Sequence, residues 1–260
     1  MTTPWKLLAG SAAGTSHERR GEPCQDYAHA LLVEGGAAPA LVVACADGAG
    51  SASQAGLGAR LACLTFVRLA SAALRDGLPI TAIDSGHVLG WHERIRGQLS
   101  LEACLRNLDV RDFACTLLTA VVGDGAAVFS QIGDGAIVYR EAGAWKTAFW
   151  PQAGEYANTT FFLTGEDFAE KLAFLALGQQ VEELALFTDG LQPIALHYAS
   201  RTVHAPFFDP MFETLRGCPA VEQLEGPFRQ FLSSKPVNDR TDDDKSLVLA
   251  TRRAPSDDGT

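Results

Sequence analysis

The sequence has no C-x-x-C pair, no excess of basic residues, no uncharged apolar run near bilayer length and no internal repeat. Each absence removes a class of function. The six cysteines (Cys24, Cys45, Cys63, Cys104, Cys115 and Cys218) are scattered through apolar segments, which excludes a disulfide scaffold and a cysteine-based zinc site. Buried small hydrophobes are the expectation for them. None is followed by an arginine six positions later, so the thiolate phosphatase loop is missing too. With 21 Lys and Arg against 31 Asp and Glu, the net charge is −10, which argues against a groove that follows a phosphate backbone, and so against nucleic acid as a partner. A bilayer span needs about 20 apolar residues. The opening MTTPWKLLAGSAAG also lacks a basic start followed by a long apolar stretch, so the chain reads as cytoplasmic, with no membrane partner.

What is present is core-forming material. Hydrophobic residues make up 47% of 260, enough for one large domain, read here as residues 1–252, with a solvated tail over 253–260. The segments KLLAGSAAG, YAHALLVE and PALVVACA, each bounded by Gly, Pro or charge, predict three strands. Helical spacing of apolar residues takes over from Gln54 to Leu74, and a second helix is expected from Ile80 to Asn107. FACTLLTAVV, AAVFSQI and AIVYR then read as an antiparallel meander joined by Asp-Gly turns. TTFFLT, KLAFLAL and ELALFT continue the strands, QPIALHYAS and VEQLEGPFRQFLSS are expected helices, and SLVLAT closes the chain as a strand. Clustered strands with inserted helical blocks predict an α+β fold, with two mostly antiparallel sheets face to face and helices outside.

Aspartates stand where these strands end. Asp47, Asp134 and Asp189 each follow an apolar run and precede glycine; Asp26 stands before the strand at Tyr27, and Asp242, Asp243 and Asp244 precede the last strand. A single Asp-Gly is the ordinary chemistry of a hairpin, and Asp124-Gly125 is read as only that. The runs ending at Ala46 and Phe187, however, lead into helical segments. Carboxylates gathered at one sheet edge repel one another unless a cation offsets them, and all-oxygen ligation suits magnesium or manganese. A two-metal hydrolytic site is the natural expectation. Gly48, lacking a side chain, could bring its own carbonyl to an ion bound by Asp47.

In this order the segments resemble the metal-dependent protein phosphatases of type 2C. GTSHERRGEPCQDYA, VVACADGAG, ACTLLTAVV, SQIGDGAIVYR, LALFTDGL and DDKSLVLA are similar to that family's successive landmarks from about residue 10 to residue 250. The resemblance implies a four-layer α-β-β-α sandwich that hydrolyses phosphoserine and phosphothreonine by attack of a water bridging two Mn2+ or Mg2+ ions. It implies Asp26, Asp47, Asp189 and Asp243 as catalytic, and Asp47, Gly48, Asp134, Asp189 and Asp243 as metal-binding, with Asp134 and Asp189 able to hold a third, weaker ion. The implied partners are a phosphorylated protein substrate and a cognate serine/threonine kinase.

Three departures mark a divergent, bacterial-type member. The family's phosphate-binding arginine position is Gly21, with Arg20 or Arg19 as the substitute; no histidine follows Asp47-Gly48; and Gly135-Ala136 replaces the family's Ser-Arg. His17 is expected to be a solvated loop residue. The alternative is a catalytically inactive module that binds phosphoproteins or regulates. A dinucleotide loop at Gly48 and Gly50 is disfavoured, because Ser53 stands where its third glycine would be.

Overall fold

The structure, a computed structural model, describes residues 5–36, 38–152 and 160–253. The chain opens with β1 (Lys6–Ala12), α1 (Thr15–Arg20), β2 (Tyr27–Val33) and β3 (Ala40–Ala46). Two long helices follow, α2 (Ala55–Arg75) and α3 (Ser85–Arg106), and then β4 (Leu117–Val122), β5 (Ala127–Ile132), β6 (Ala136–Glu141) and β7 (Ala144–Phe149). After α4 (Phe168–Lys171) come β8 (Ala173–Leu177), β9 (Glu183–Phe187), α5 (Gln192–Ala195) and a short pair, β10 (Leu196–His197) and β11 (Thr202–Val203). The remainder is α6 (Ala205–Gly217), α7 (Glu225–Leu232), α8 (Lys235–Asn238) and β12 (Lys245–Thr251).

Two five-stranded antiparallel sheets form, ordered β1-β12-β9-β6-β7 and β2-β3-β4-β5-β8. Period-two alternation explains why they stack. On β3, Leu41, Val43 and Cys45 join Leu118, Phe129, Ile137, Leu184, Leu186 and Val248 between the sheets. Val42, Ala44 and Ala46 face the other way, onto Ala59, Ala62, Phe66, Trp91 and Ile95 of α2 and α3. Across the molecule, Phe187, Leu247 and Leu249 point outward to Phe208, Phe212 and Leu215 of α6 and Phe228 and Leu232 of α7. Both faces of both sheets are therefore buried, which gives the four layers anticipated from the strand clusters. The helix α2 is long and apolar enough to cross a membrane by composition, yet it spends its buried face on β3 and β2.

Several expectations need correction. The segment β5–β6 is not a hairpin: β5 pairs with β4 and β8, β6 pairs with β7 and β9, and Asp134-Gly135 carries the chain from one sheet to the other. Gly135 is required there because a Cβ would lie 2.7 Å from Leu118 Cδ1 and 2.9 Å from the Phe187 carbonyl. The real partner of β6 is β7, joined through Ala142-Gly143, both at positive φ. Residues 160–164 of TTFFLT are irregular, with Thr159 outside the described residues. The helix expected over QPIALHYAS ends at Ala195, and α6, with Pro206 and Pro210 in its sequence, is a helix that the sequence analysis left unassigned. The helix expected from Ile80 starts as a 3-10 turn and is restarted by Asp84, whose side chain accepts from the His87 amide. Cys45, Cys63 and Cys115 are buried as expected, whereas Cys104 is exposed. Arg253 lies within the expected solvated tail, yet its Nε sits 3.9 Å from Glu182. Its neighbour Arg252 is buried against the Val181 and Gly123 carbonyls, and the rest of the tail, 254–260, lies outside the described residues.

Candidate functional site

The strand registers bring the aspartates together. The β2–β3 ladder ends at Tyr27 opposite Ala46, so one step further Asp26 stands opposite Asp47. The β6–β9 ladder ends at Ala136 opposite Phe187, and continuing it places Asp134 across from Asp189. Asp47 and Asp26 also keep the parity of Cys45 and Ala28, so both carboxyls fall on the inner side of their sheet, just past the inter-sheet core. The result is a cluster in which oxygens of Asp47, Asp134 and Asp189 lie within 4.8 Å of one another. Asp243, at the exposed mouth beside β12, is close enough to act electrostatically on all three.

Backbone and hydroxyl groups fix these residues in place. The Asp47 amide donates to Thr116 Oγ1 at 2.9 Å, and the Thr116 amide donates to the Asp47 carbonyl at 2.8 Å. Thr188 Oγ1 donates to Asp26 Oδ2 at 2.6 Å and accepts from the Ser246 amide at 2.9 Å, which ties the two sheets together at the site. Thr160 Oγ1 donates to Asp134 Oδ2 at 2.5 Å, and Gln192 Nε2 donates to the Asp134 carbonyl. These threonines received no role from sequence reasoning; Thr116 and Thr188 carried a signal, a hydroxyl residue at the end of an apolar strand, and Thr160 carried none. Gly48 pairs with Cys115 in the position where its own carbonyl turns away from β4, toward the Asp26 side. A Cβ there would lie 2.7 Å from the Gln25 carbonyl.

Burial and like charge decide the electrostatics. Asp26 is raised to about 8, chiefly because it is buried, despite the hydroxyl of Thr188. Burial and then the Asp26 and Asp189 charges push Asp47 well above the ordinary carboxylate range. Asp189 rises to about 7 through burial and the charges of Asp134 and Asp243, and burial raises Asp134. No lysine or arginine is among the causes of these shifts. One oxygen each of Asp26 and Asp134 is buried with no hydrogen-bond partner. Unpartnered buried carboxylate oxygens beside a cluster of carboxylates are the donor chemistry that a hard divalent cation satisfies.

One neighbour departs from expectation. His17 is buried, not solvated: its Nδ1 lies 2.9 Å from Asp244 Oδ1. Asp244 also accepts from the Gly14 and Gln25 amides at 2.6 and 2.5 Å, so it clamps α1 and the lead into β2 onto β12. Arg20, in the last turn of α1, is exposed and donates to Glu22 at 2.7 Å; Arg19 lies 3.7 Å from Asp242. Asp124 is the surface turn residue it was read to be, 3.5 Å from Arg252.

Gly190, between Asp189 and β12, offers a sharp test of how tightly this corner is built. A Cβ on it would lie 2.0 Å from the Asp244 carbonyl. Gly190→Ala is expected to destabilise the fold by roughly 1–3 kcal/mol and to lower the melting temperature. An unchanged melting curve would show that the close approach is not needed.

The model of the protein phosphatase 2C family matches residues 13–229. The chain is 38% identical over 252 residues to serine/threonine-protein phosphatase 3 of Escherichia coli (strain K12), covering 95% of this chain and 98% of that one. The serine/threonine phosphatase Stp1 from Staphylococcus aureus has the same fold, with a TM-score of 0.65 at 12% identity over 98% of this chain and 97% of that one. PppA of Pseudomonas aeruginosa matches with a TM-score of 0.63 at 15% identity, over 97% and 99% of the two chains. Fold, ordered aspartates and sequence likeness along nearly the whole length agree, and the chain belongs to the protein phosphatase 2C family.

Proposed function

We propose that this chain is a metal-dependent protein serine/threonine phosphatase, acting through a single domain over residues 1–252. In this reading Asp47, Asp134, Asp189 and Asp243 hold two Mn2+ or Mg2+ ions, with Gly48 adding its carbonyl. In the same reading Asp134 and Asp189 together would hold a third, weaker ion. The observation that carries the reading is the meeting of Asp47, Asp134 and Asp189 from three separate segments within 4.8 Å, with Asp26 and Asp243 near enough to act on their charge. When bound, such ions lower the pKa of water toward neutrality and offset phosphoryl charge.

The residues of the chain supply position and charge. Thr116 holds the Asp47 backbone and Thr188 holds the Asp26 carboxyl before any ligand arrives, so little reorganisation remains to be done. Asp26, buried behind the others, orients groups in the cluster and does not contact the substrate. Arg20 is assigned to the phosphate and would leave Glu22 to reach it. Next to Asp26 in sequence, Gln25 joins Glu22, Ser51, Ser53 and Arg60 in framing an open groove of about 690 Å³, which this reading assigns to the peptide around the phosphorylated residue. The implied partners are a phosphoprotein and a cognate kinase, and the implied compartment is the cytoplasm. The inactive, phosphoprotein-binding alternative is not favoured, because the acidic set is complete.

The test is phosphate release from phosphothreonine and phosphoserine peptides. Turnover is expected only with added manganese or magnesium and should stop in excess chelator. Turnover that persists in chelator would remove the metal from the mechanism.

A further inference from the structure

The face of α3 that points away from the sheets has features the phosphatase reading does not use. Val88, Trp91, Ile95, Leu99 and Ala103 bury the inner face. Among the described residues the exposed large hydrophobics are Leu101 (54% exposed), Leu105 (71%), Leu108 (36%) and Tyr198, so three of the four lie on or just past the end of α3. Cys104, the exposed cysteine, shares their stripe. One and three turns back from Leu101, the same stripe carries Gly97 and Gly90. Glycine weakens a helix interior relative to alanine, and here nothing internal requires it: a Cβ at either position would meet no atom within 4 Å. The outer face therefore combines an apolar knob, Leu101, with a bare notch, Gly97, one turn apart.

We propose that this face is a dimer interface, and that its occupant is α3 of a second copy running antiparallel. A two-fold interface must be self-complementary, so both knob and notch have to lie on one surface. Spacings of 3 and 4 residues place Gly90, Arg94, Gly97, Leu101 and Cys104 along a single helical seam. An antiparallel register centred at Leu99 sets Leu101 of each copy in the Gly97 notch of the other. Arg94 then faces Cys104 of the second copy, and Gly90 comes level with its Leu108. Charge supports this partner and this direction. The chain carries a net −10, which repels a second copy over most of its surface. Residues 93–106, in contrast, hold Glu93, Arg94, Arg96, Glu102 and Arg106, a segment that is not acidic. A parallel pairing would set Arg94 against Arg94, and the antiparallel one avoids it. The 22-residue helix is about 33 Å long, so the contact lies at the small end of specific interfaces, below about 1,200 Å². A reversible, concentration-dependent dimer follows.

Sedimentation equilibrium of the full chain from about 1 to 100 µM should show the dimer forming as concentration rises. Gly97→Leu fills the notch and improves helix propensity, so it should weaken association by at least about tenfold without lowering the melting temperature or phosphate release. Arg94→Cys should form an intermolecular disulfide with Cys104 under mild oxidation, and Cys104→Ser in that background should abolish it. In the proposed register the two Cys104 residues of a wild-type dimer lie apart, so wild type should crosslink poorly. A chain that stays monomeric throughout the range overturns the proposal, as does a dimer unaffected by Gly97→Leu. Wild type that crosslinks as readily as Arg94→Cys overturns the register.

Discussion

Asp47→Asn is expected to reduce phosphate release by on the order of a thousandfold, and Asp189→Asn by a similar factor, while Asp124→Asn changes it less than about threefold. The contrast matters because all three are Asp-Gly pairs following apolar strands. Asp47 sits on the inner side of β3 with its amide held by Thr116, and Asp189 caps β9 opposite Asp134. Asp124 is on the surface, at a hairpin whose Gly125 has φ 69°. Amides keep the size of the carboxyls, so a loss at Asp47 and Asp189 would report charge and ligation, not packing. Steady-state kinetics at saturating manganese separates the two groups. Equal losses at all three positions, or none, would undo the assignment.

The second large effect is on stability. Asp26 titrates near 8 and Asp189 near 7 in the metal-free fold, with Asp47 and Asp134 also raised, against about 3.9 for an unfolded aspartate. Between these limits the folded state binds more protons than the unfolded one. The stabilisation is therefore complete below about pH 4 and lost as pH rises through about 8. The metal-free protein should melt at progressively lower temperature from about pH 5 to about pH 9. A cation in the cluster replaces those protons, so manganese should flatten the profile. At about 100 times its dissociation constant it adds roughly 2.7 kcal/mol, or about 5–10 °C for a chain of this size. Asp47→Asn removes one repelling charge. Without metal it should melt no lower than wild type near pH 8, yet it should show almost no manganese response. A variant less stable without metal that keeps the full response would place the ion elsewhere.

The sequence shows the four layers because strands that bury both faces read as nearly continuous apolar runs. On β3, β4, β9 and β12 every residue is buried, and the apolar runs mark them directly. The strand AWKTAF of β7 lies at a sheet edge with a half-exposed pattern, so it lacks that signal. Asp134-Gly135 was misread because a tight turn and a crossing between sheets ask for the same residues; only the pairing of β6 with β9 distinguishes them. The aspartates of the site were legible since each ends a strong strand. What holds them was not, because Thr188 and Thr116 act through partners far away in sequence. His17 misled for the same reason: a histidine among charged residues gives no hint of Asp244, which fixes it from the other end of the chain.

The place of β12 has a consequence for synthesis. This last strand is not at an edge: it lies between β1, the first strand, and β9. While the ribosome has yet to release residues 245–251, one sheet carries an empty slot with two unpaired strand borders facing each other. That slot offers backbone donors and acceptors to any other nascent chain. Asp243 and Asp244 arrive with the same segment, so a truncated product lacks both the filler of the slot and the clamp on α1. Pairing of β12, closure of the sheet and the arrival of Asp243 beside the acidic cluster are thus one event, and a product cut short before residue 243 leaves the slot open and α1 without its Asp244 clamp.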